Sequence, residues 1–188
     1  MLFGFAAAAF AGPKEDILAA HEAMVAKGKF RMVGVSQSKG STTRMETTVV
    51  WPDRYAMRAD TDGTVMEYVI LPGSTYMKQG GQWMKLPMDM SRMIESLTPA
   101  AMRKAHEGMT NVEQLADDTV DGRDAKVYRY DSRVTMMGIT AGSTVTLWID
   151  TDTGLPLKQE VDGEAMRTKS RTVQTYLFDD GIEISAPR

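Results

Sequence analysis

The chain has 188 residues, of which 43% are hydrophobic and 25% charged, with a formal net charge of −3 at pH 7. That length suits one domain with a real core, and the interspersed, slightly acidic charge excludes the basic stripe that holds a nucleic-acid backbone. The absence of cysteine excludes a disulfide, a Cys-ligated zinc, a thiol nucleophile and an acyl anchor on a lipobox cysteine.

Residues 1–11 read as a signal peptide. Leu2 to Ala11 is apolar and closes on Ala9-Phe10-Ala11 ahead of Gly12-Pro13-Lys14, a short h-region ending on small-x-small. It is too short to span a bilayer, which takes about 20 residues. No basic n-region precedes it, as expected if the true start lies upstream. The alternative is a buried N-terminal helix. The signal reading makes residues 12–188 one exported, soluble domain.

Pro13 to Lys27 is the first predicted helix. Pro13 suits its first turn, Glu15 and Asp16 its positive end, and Lys27-Gly28 its close. Ile17, Ala20, His21, Met24 and Val25 form one stripe. The period then changes to two, with alternating runs at Phe30–Val35, Arg44–Trp51, Arg54–Ala59 and Val65–Ile70. Turns fall at Lys39-Gly40, Pro52-Asp53 and Asp62-Gly63, the pattern of an antiparallel meander. Two further strands run from Ser74 to Leu86, after Pro72-Gly73 and on either side of Gly80-Gly81. Glycine accepts there the positive φ of a tight hairpin, and Pro87 stops the run. In this meander Met45, Val49, Trp51, Met57, Met66, Tyr68 and Ile70 are the expected inward sets, because the opposite sets carry Arg44, Glu46, Arg58 and Glu67.

Residues 88–109 interrupt the strands. Asp89 to Leu97 reads as a short helix, and Thr98-Pro99 opens a second that ends near Gly108. Strands resume at 112–115, 126–130, 144–149, 156–161 and 172–178, with turns at Asp121-Gly122 and Asp152-Thr153-Gly154. No repeat or linker divides the chain. The expected fold is mainly β (α+β): a strongly curved antiparallel sheet or unclosed β-barrel of about ten to eleven strands, covered by helices on one side.

Catalytic chemistry finds no foothold. His21 lies on a packing stripe and His106 late in the inserted helices, and both read as structural. No Gly-x-Ser-x-Gly, phosphate loop or His-Glu-x-x-His occurs. Asp150-Thr151-Asp152-Thr153-Gly154 starts like a calcium loop but continues Leu-Pro-Leu without the later carboxylate, so it reads as a turn. Asp117, Asp118 and Asp121 read as solvated turn residues. The expectation is a non-enzyme with no cofactor and no metal. Sixteen methionines fit either a loosely specified core or a deformable apolar cavity. Aromatic strand residues near turns, Tyr76 and Trp83 among them, are candidates for lining that cavity.

Four segments then carry a resemblance. They are Trp51-Pro52-Asp53-Arg54-Tyr55-Ala56-Met57-Arg58; Gly73-Ser74-Thr75-Tyr76 with Gly81-Gln82-Trp83-Met84-Lys85-Leu86-Pro87; Leu147-Trp148-Ile149-Asp150 with Gly154-Leu155-Pro156-Leu157-Lys158; and Tyr176-Leu177-Phe178-Asp179-Asp180-Gly181-Ile182-Glu183-Ile184 with Pro187. In this order they resemble the LolA-like superfamily, which includes the periplasmic carrier of outer-membrane lipoproteins, LppX/LprG-type lipid-binding proteins and the lipid-sensing domain of RseB-type regulators. The resemblance implies a half-barrel with a helical lid over an acyl-chain cavity. Met90, Met93, Ile94 and Leu97 would form that lid. It also implies a non-enzymatic carrier or sensor role, and the leading expectation is a periplasmic, monomeric carrier of lipid or lipoprotein acyl chains with a membrane-bound donor or acceptor as partner. A regulatory or chaperone-like protein-interaction module with a filled core is the alternative. Two positions depart from the family: Trp51 stands where the lipoprotein carrier has an Arg implicated in lid opening, and no cysteine is present for the anchor usual in LppX/LprG-type proteins.

Overall fold

The computed structural model describes residues 12–87, 99–136, 139–165 and 168–187. Helix α1 (Pro13–Lys27) starts with Pro13 in its first turn and ends at Gly28, whose φ of 71° lets its N–H return to the Val25 carbonyl. Six strands follow: β1 (Lys29–Ser38), β2 (Ser41–Val50), β3 (Arg54–Thr61), β4 (Thr64–Leu71), β5 (Ser74–Gln79) and β6 (Gln82–Leu86). Helix α2 (Pro99–Glu107) precedes β7 (Thr110–Gln114), β8 (Asp118–Val120), β9 (Arg123–Met136), β10 (Ile139–Asp150), β11 (Pro156–Ala165) and β12 (Thr168–Leu177). Four hairpins turn on residue pairs that both hold positive φ: Lys39-Gly40, Asp62-Gly63, Gly80-Gly81 and Asp121-Gly122. Their mirror-image twist matches that of the flanking strands.

All twelve strands form one antiparallel sheet, ordered β6-β5-β4-β3-β2-β1-β12-β11-β10-β9-β7, with β8 on β9. The sheet is curved and does not close. Pairing of β1 with β12 joins the two ends of the chain, so the expected half-barrel class holds. The strand number exceeds the expected ten to eleven because β8 is only three residues long. Strands β9 to β12 also run on through Ser-, Thr- and Gly-rich stretches without apolar alternation.

Helix α1 lies on one face, called inner here. Its Ile17 and Ala20 pack with Tyr128, Tyr130, Val145, Leu147 and Ile149. One turn on, Met24 packs with Phe30, Val49, Tyr55, Ile70 and Tyr176. Each buried Val, Leu, Ile, Phe or Met side chain among these contributes about 1.5–3 kcal/mol. Asp16 of α1 accepts a 2.6 Å hydrogen bond from the Tyr128 hydroxyl, which pins the helix to the sheet. On the outer face the β7–β8 segment brings Leu115 and Val120 over Ala125, Val127, Trp148 and Leu157. The C-terminal tail buries Ile182 and Ile184 and is held by Arg54, which donates to the Ile184 carbonyl at 3.1 Å.

Candidate functional site

The register assigns every strand residue to a face, because side chains alternate strictly along a strand. Cross-strand partners run Phe30, Val49, Tyr55, Ile70, Thr75 and Leu86 in a first inner row, at the end of the sheet that α1 covers. The next row runs Tyr176, Met32, Thr47, Met57, Tyr68, Met77 and Met84. A third runs Gln159, Gln174, Gly34, Met45, Ala59 and Met66. Six methionines from six strands thus share one face in two adjacent rows. Met32, Met45, Met57 and Met77 are half-buried, while Met66 and Met84 remain 46% and 42% exposed. Flexible thioether side chains in that arrangement make a deformable apolar surface.

Charge is sorted almost as completely as apolarity, an exception being Lys126 near the start of β9, which lies in the inner register opposite Ile149. Inner positions of β1 to β6 and the described inner positions 170–176 of β12, 159–163 of β11, 143–149 of β10 and 128–132 of β9 carry no Lys, Arg, Asp, Glu or His. The charges stand on the outer face and largely neutralise each other, as in Arg31–Glu46 at 3.3 Å, Arg58–Glu67 at 3.8 Å and Lys78–Glu67 at 3.2 Å. A groove of about 410 Å³ lies on that outer face between Val33, Val35, Val173 and Thr175 and the charged rim of Arg44, Glu46, Arg58 and Asp60. It is shallow and open.

Of the residues singled out in the sequence, Met45, Val49, Met57, Met66, Tyr68 and Ile70 share the inner face. Trp51 sits in the turn after β2, where its ring meets Phe30 edge-on at 5.1 Å on the same side. Tyr76 and Trp83 do not join them. Tyr76 pairs with Val69 and Lys85, and Trp83 with Lys78, so both belong to the outer face, where the Lys78 ammonium stands 5.7 Å from the Trp83 ring. Aromatic type suggested the inner face, but the strand period decides it, and the inward residues of these strands are Thr75, Met77, Met84 and Leu86. The expected lid residues Met90, Met93, Ile94 and Leu97, like the expected signal segment 1–11, lie outside the described residues. Asp118 is no free turn residue: it starts β8 and accepts a 3.0 Å hydrogen bond from the Trp148 indole, which with the Thr119 amide holds its carboxyl below the usual range. Asp150 belongs to a turn, as expected, bonded to the amides of Asp152 and Thr153 and paired with Arg123.

The two histidines, read separately as structural, meet. His21 Nδ1 and His106 Nε2 are 2.8 Å apart, and His106 Nδ1 is buried with no partner among the described residues. Only the stripe position of His21 hinted at this, because 85 residues separate the pair. Among the described residues no group of three or more His, Asp or Glu could hold a metal, and no helix is long and apolar enough to cross a membrane.

No family model and no curated protein matches the chain. Solved structures do. The lipoprotein LppX of Mycobacterium tuberculosis superposes with a TM-score of 0.63 at 11% identity, covering 92% of this chain and 98% of its own. LprF from Mycobacterium bovis superposes with a TM-score of 0.61 at 13% identity, covering 94% and 98%. At such identity the likeness concerns the fold alone, and it agrees with the curved, unclosed antiparallel sheet expected from the sequence.

Proposed function

We propose that this protein is an exported, non-enzymatic binder of acyl chains, carrying a lipid or the lipid part of a lipoprotein on its inner face between membrane-bound donor and acceptor. The observation that carries the reading is the pair of methionine rows on strands β1 to β6, whose inner positions carry no formal charge, with Met66 and Met84 still open to solvent. A sheet that only needed a filled core would bury its apolar face against its helices. Here α1 covers one end, and the methionines extend beyond the row it covers. Acyl chains laid on that surface leave water with a gain of about 0.8 kcal/mol per methylene. Binding without bond-breaking needs no cluster of titratable groups, and the described inner positions of β1 to β6 carry no Lys, Arg, Asp, Glu or His. Met45, Met57, Met66 and Tyr68 are the proposed contacts, with Trp51 at the covered end; Val49 and Ile70, expected in the sequence to line the cavity, are instead buried beneath α1.

The test is to strip the protein of lipid, incubate it with a membrane extract and record native mass spectra. Adducts with lipid masses, displaced by an uncharged naphthylamine dye, are the expected result. A bare protein mass after incubation rejects the reading and leaves the protein-interaction module in its place.

A further inference from the structure

Three neutral polar side chains break the apolar inner face where the two methionine rows begin. The Tyr176 hydroxyl donates to Gln159 Oε1 at 2.5 Å and accepts from Gln174 Nε2 at 3.1 Å. Gln174 Nε2 also points at Met32 Sδ, 3.8 Å away and a weak acceptor. Tyr176 is buried, while both glutamines are half-exposed. Gly34 makes the arrangement possible: a Cβ there would come within 2.7 Å of Gln174 Cβ and 2.5 Å of the Val173 carbonyl oxygen.

The bonding leaves a remainder. Tyr176 spends its hydrogen on Gln159 and its lone pair on Gln174. Gln159 Nε2 keeps two hydrogens and Gln174 Oε1 an acceptor, with no partner for either among the described residues; neither atom is buried. Burial holds the Tyr176 phenol up at about 12, so the trio stays uncharged at neutral pH. A donor and an acceptor side by side match a carbonyl that carries an adjoining N–H or O–H. The inner positions of β11, β12 and β1 around the trio carry no Lys, Arg or His, so a carboxylate there meets no adjoining cation, and moving it out of water is costly. From β12 to β6 the sheet spans six strand spacings, about 29 Å at ~4.8 Å each. That exceeds the ~15 Å of one extended chain in a bilayer leaflet, half of a ~30 Å hydrocarbon core.

Resting on the binding function proposed above, we infer that Gln159, Tyr176 and Gln174 form a hydrogen-bonding subsite for the uncharged amide or hydroxyl-bearing ester head of an acyl-chain ligand, whose chain runs along the methionine rows. The subsite selects such ligands against free fatty acids. Gln159 and Gln174 contact the head, and Tyr176 is a positioning residue that sets the orientation of both amides.

The experiment is displacement of the naphthylamine dye at neutral pH by N-methyl lauramide, methyl laurate, laurate and dodecane. The amide should bind tightest, then the ester, and laurate about tenfold more weakly than the amide, the size expected of one or two net hydrogen bonds. Gln159→Met keeps the side-chain length and removes the donor, and should cut the amide-to-dodecane affinity ratio about tenfold. Gln37→Met, on the outer face, should not change that ratio. Tyr176→Phe keeps the ring and serves if Gln159→Met misfolds; it should lower the same ratio while its cooperative melt persists. Tightest binding of laurate, or equal ratios in wild type and Gln159→Met, overturns the subsite alone. Failure of every probe to displace the dye overturns the binding function with it.

Discussion

His21 Nδ1 and His106 Nε2, 2.8 Å apart with ring centroids at 4.8 Å, join the middle of α1 to the last turn of α2. One ring donates and the other accepts, so the contact requires neutral imidazole on the accepting nitrogen. Burial, then the neighbouring His106, pushes His21 from 6.5 down to about 4. Burial, then the Lys14 ammonium, lowers His106 against the opposing pull of Glu22.

The sign follows from linkage. The unfolded chain takes up protons at these histidines near 6.5, above where the folded chain does, so their stabilisation is intact above 6.5 and is lost as pH falls below it, for His21 toward about 4. Asp118, Asp131 and Asp150 are all held below 3.8 and weaken the fold only in stronger acid. Thermal melts should therefore show a fall in Tm between pH 6.5 and 4 that is smaller in His106→Leu. Equal slopes in the two proteins would place the acid sensitivity elsewhere.

Phe30 is the hub of the α1-covered core. It is 1% exposed and its ring lies 5.1, 6.4 and 6.1 Å from those of Trp51, Tyr176 and Phe178. Phe30→Ala should cost about 3–5 kcal/mol in urea unfolding, and Val33→Ala, on the open outer face of the same strand, under about 1 kcal/mol. Similar costs would mean that the inner face is not the packed one.

Much of this architecture was legible in the sequence because its signals are local. Pairs such as Asp62-Gly63 take positive φ through their own chemistry, and the alternation of Met57 and Tyr55 with Arg58 and Arg54 needs only a period of two. Tyr76 and Trp83 were misplaced because β5 and β6 are short and close to one edge of the sheet, where polar residues such as Thr75 and Gln79 face inward and aromatic ones outward. The Gln159–Tyr176–Gln174 trio and the histidine pair were invisible for another reason. Each depends on partners brought together across the sheet or between helices, and no local pattern encodes that distance.

Gly34 is a glycine for reasons of space. Gly34→Ala forces the new methyl against the Val173 carbonyl and Gln174, and backbone cannot yield cheaply there. The expected cost is about 1–3 kcal/mol. Gly142→Ala, with open space around its Cβ, is the control and should lie within ~1 kcal/mol of wild type. Urea midpoints measured in parallel decide between them.

Val65 and Met66 offer the cleanest test of which face binds. They are adjacent in β4, 41% and 46% exposed, and point to opposite sides: Met66 opposes Ala59 on the inner face and Val65 opposes Asp60 on the outer. Aspartate at either position stays partly in water, so the fold should tolerate both, with cooperative melts close to wild type. Their effects on binding should diverge. Met66→Asp puts a carboxylate within the methionine rows, where an acyl chain would have to strip its water, and dye or amide affinity should fall at least tenfold, about 1.4 kcal/mol. Val65→Asp, across the sheet from the chain, should shift it less than twofold, about 0.4 kcal/mol. Equal losses would detach binding from the inner face, and a larger loss for Val65→Asp would move the site to the outer groove between Val35 and Arg44.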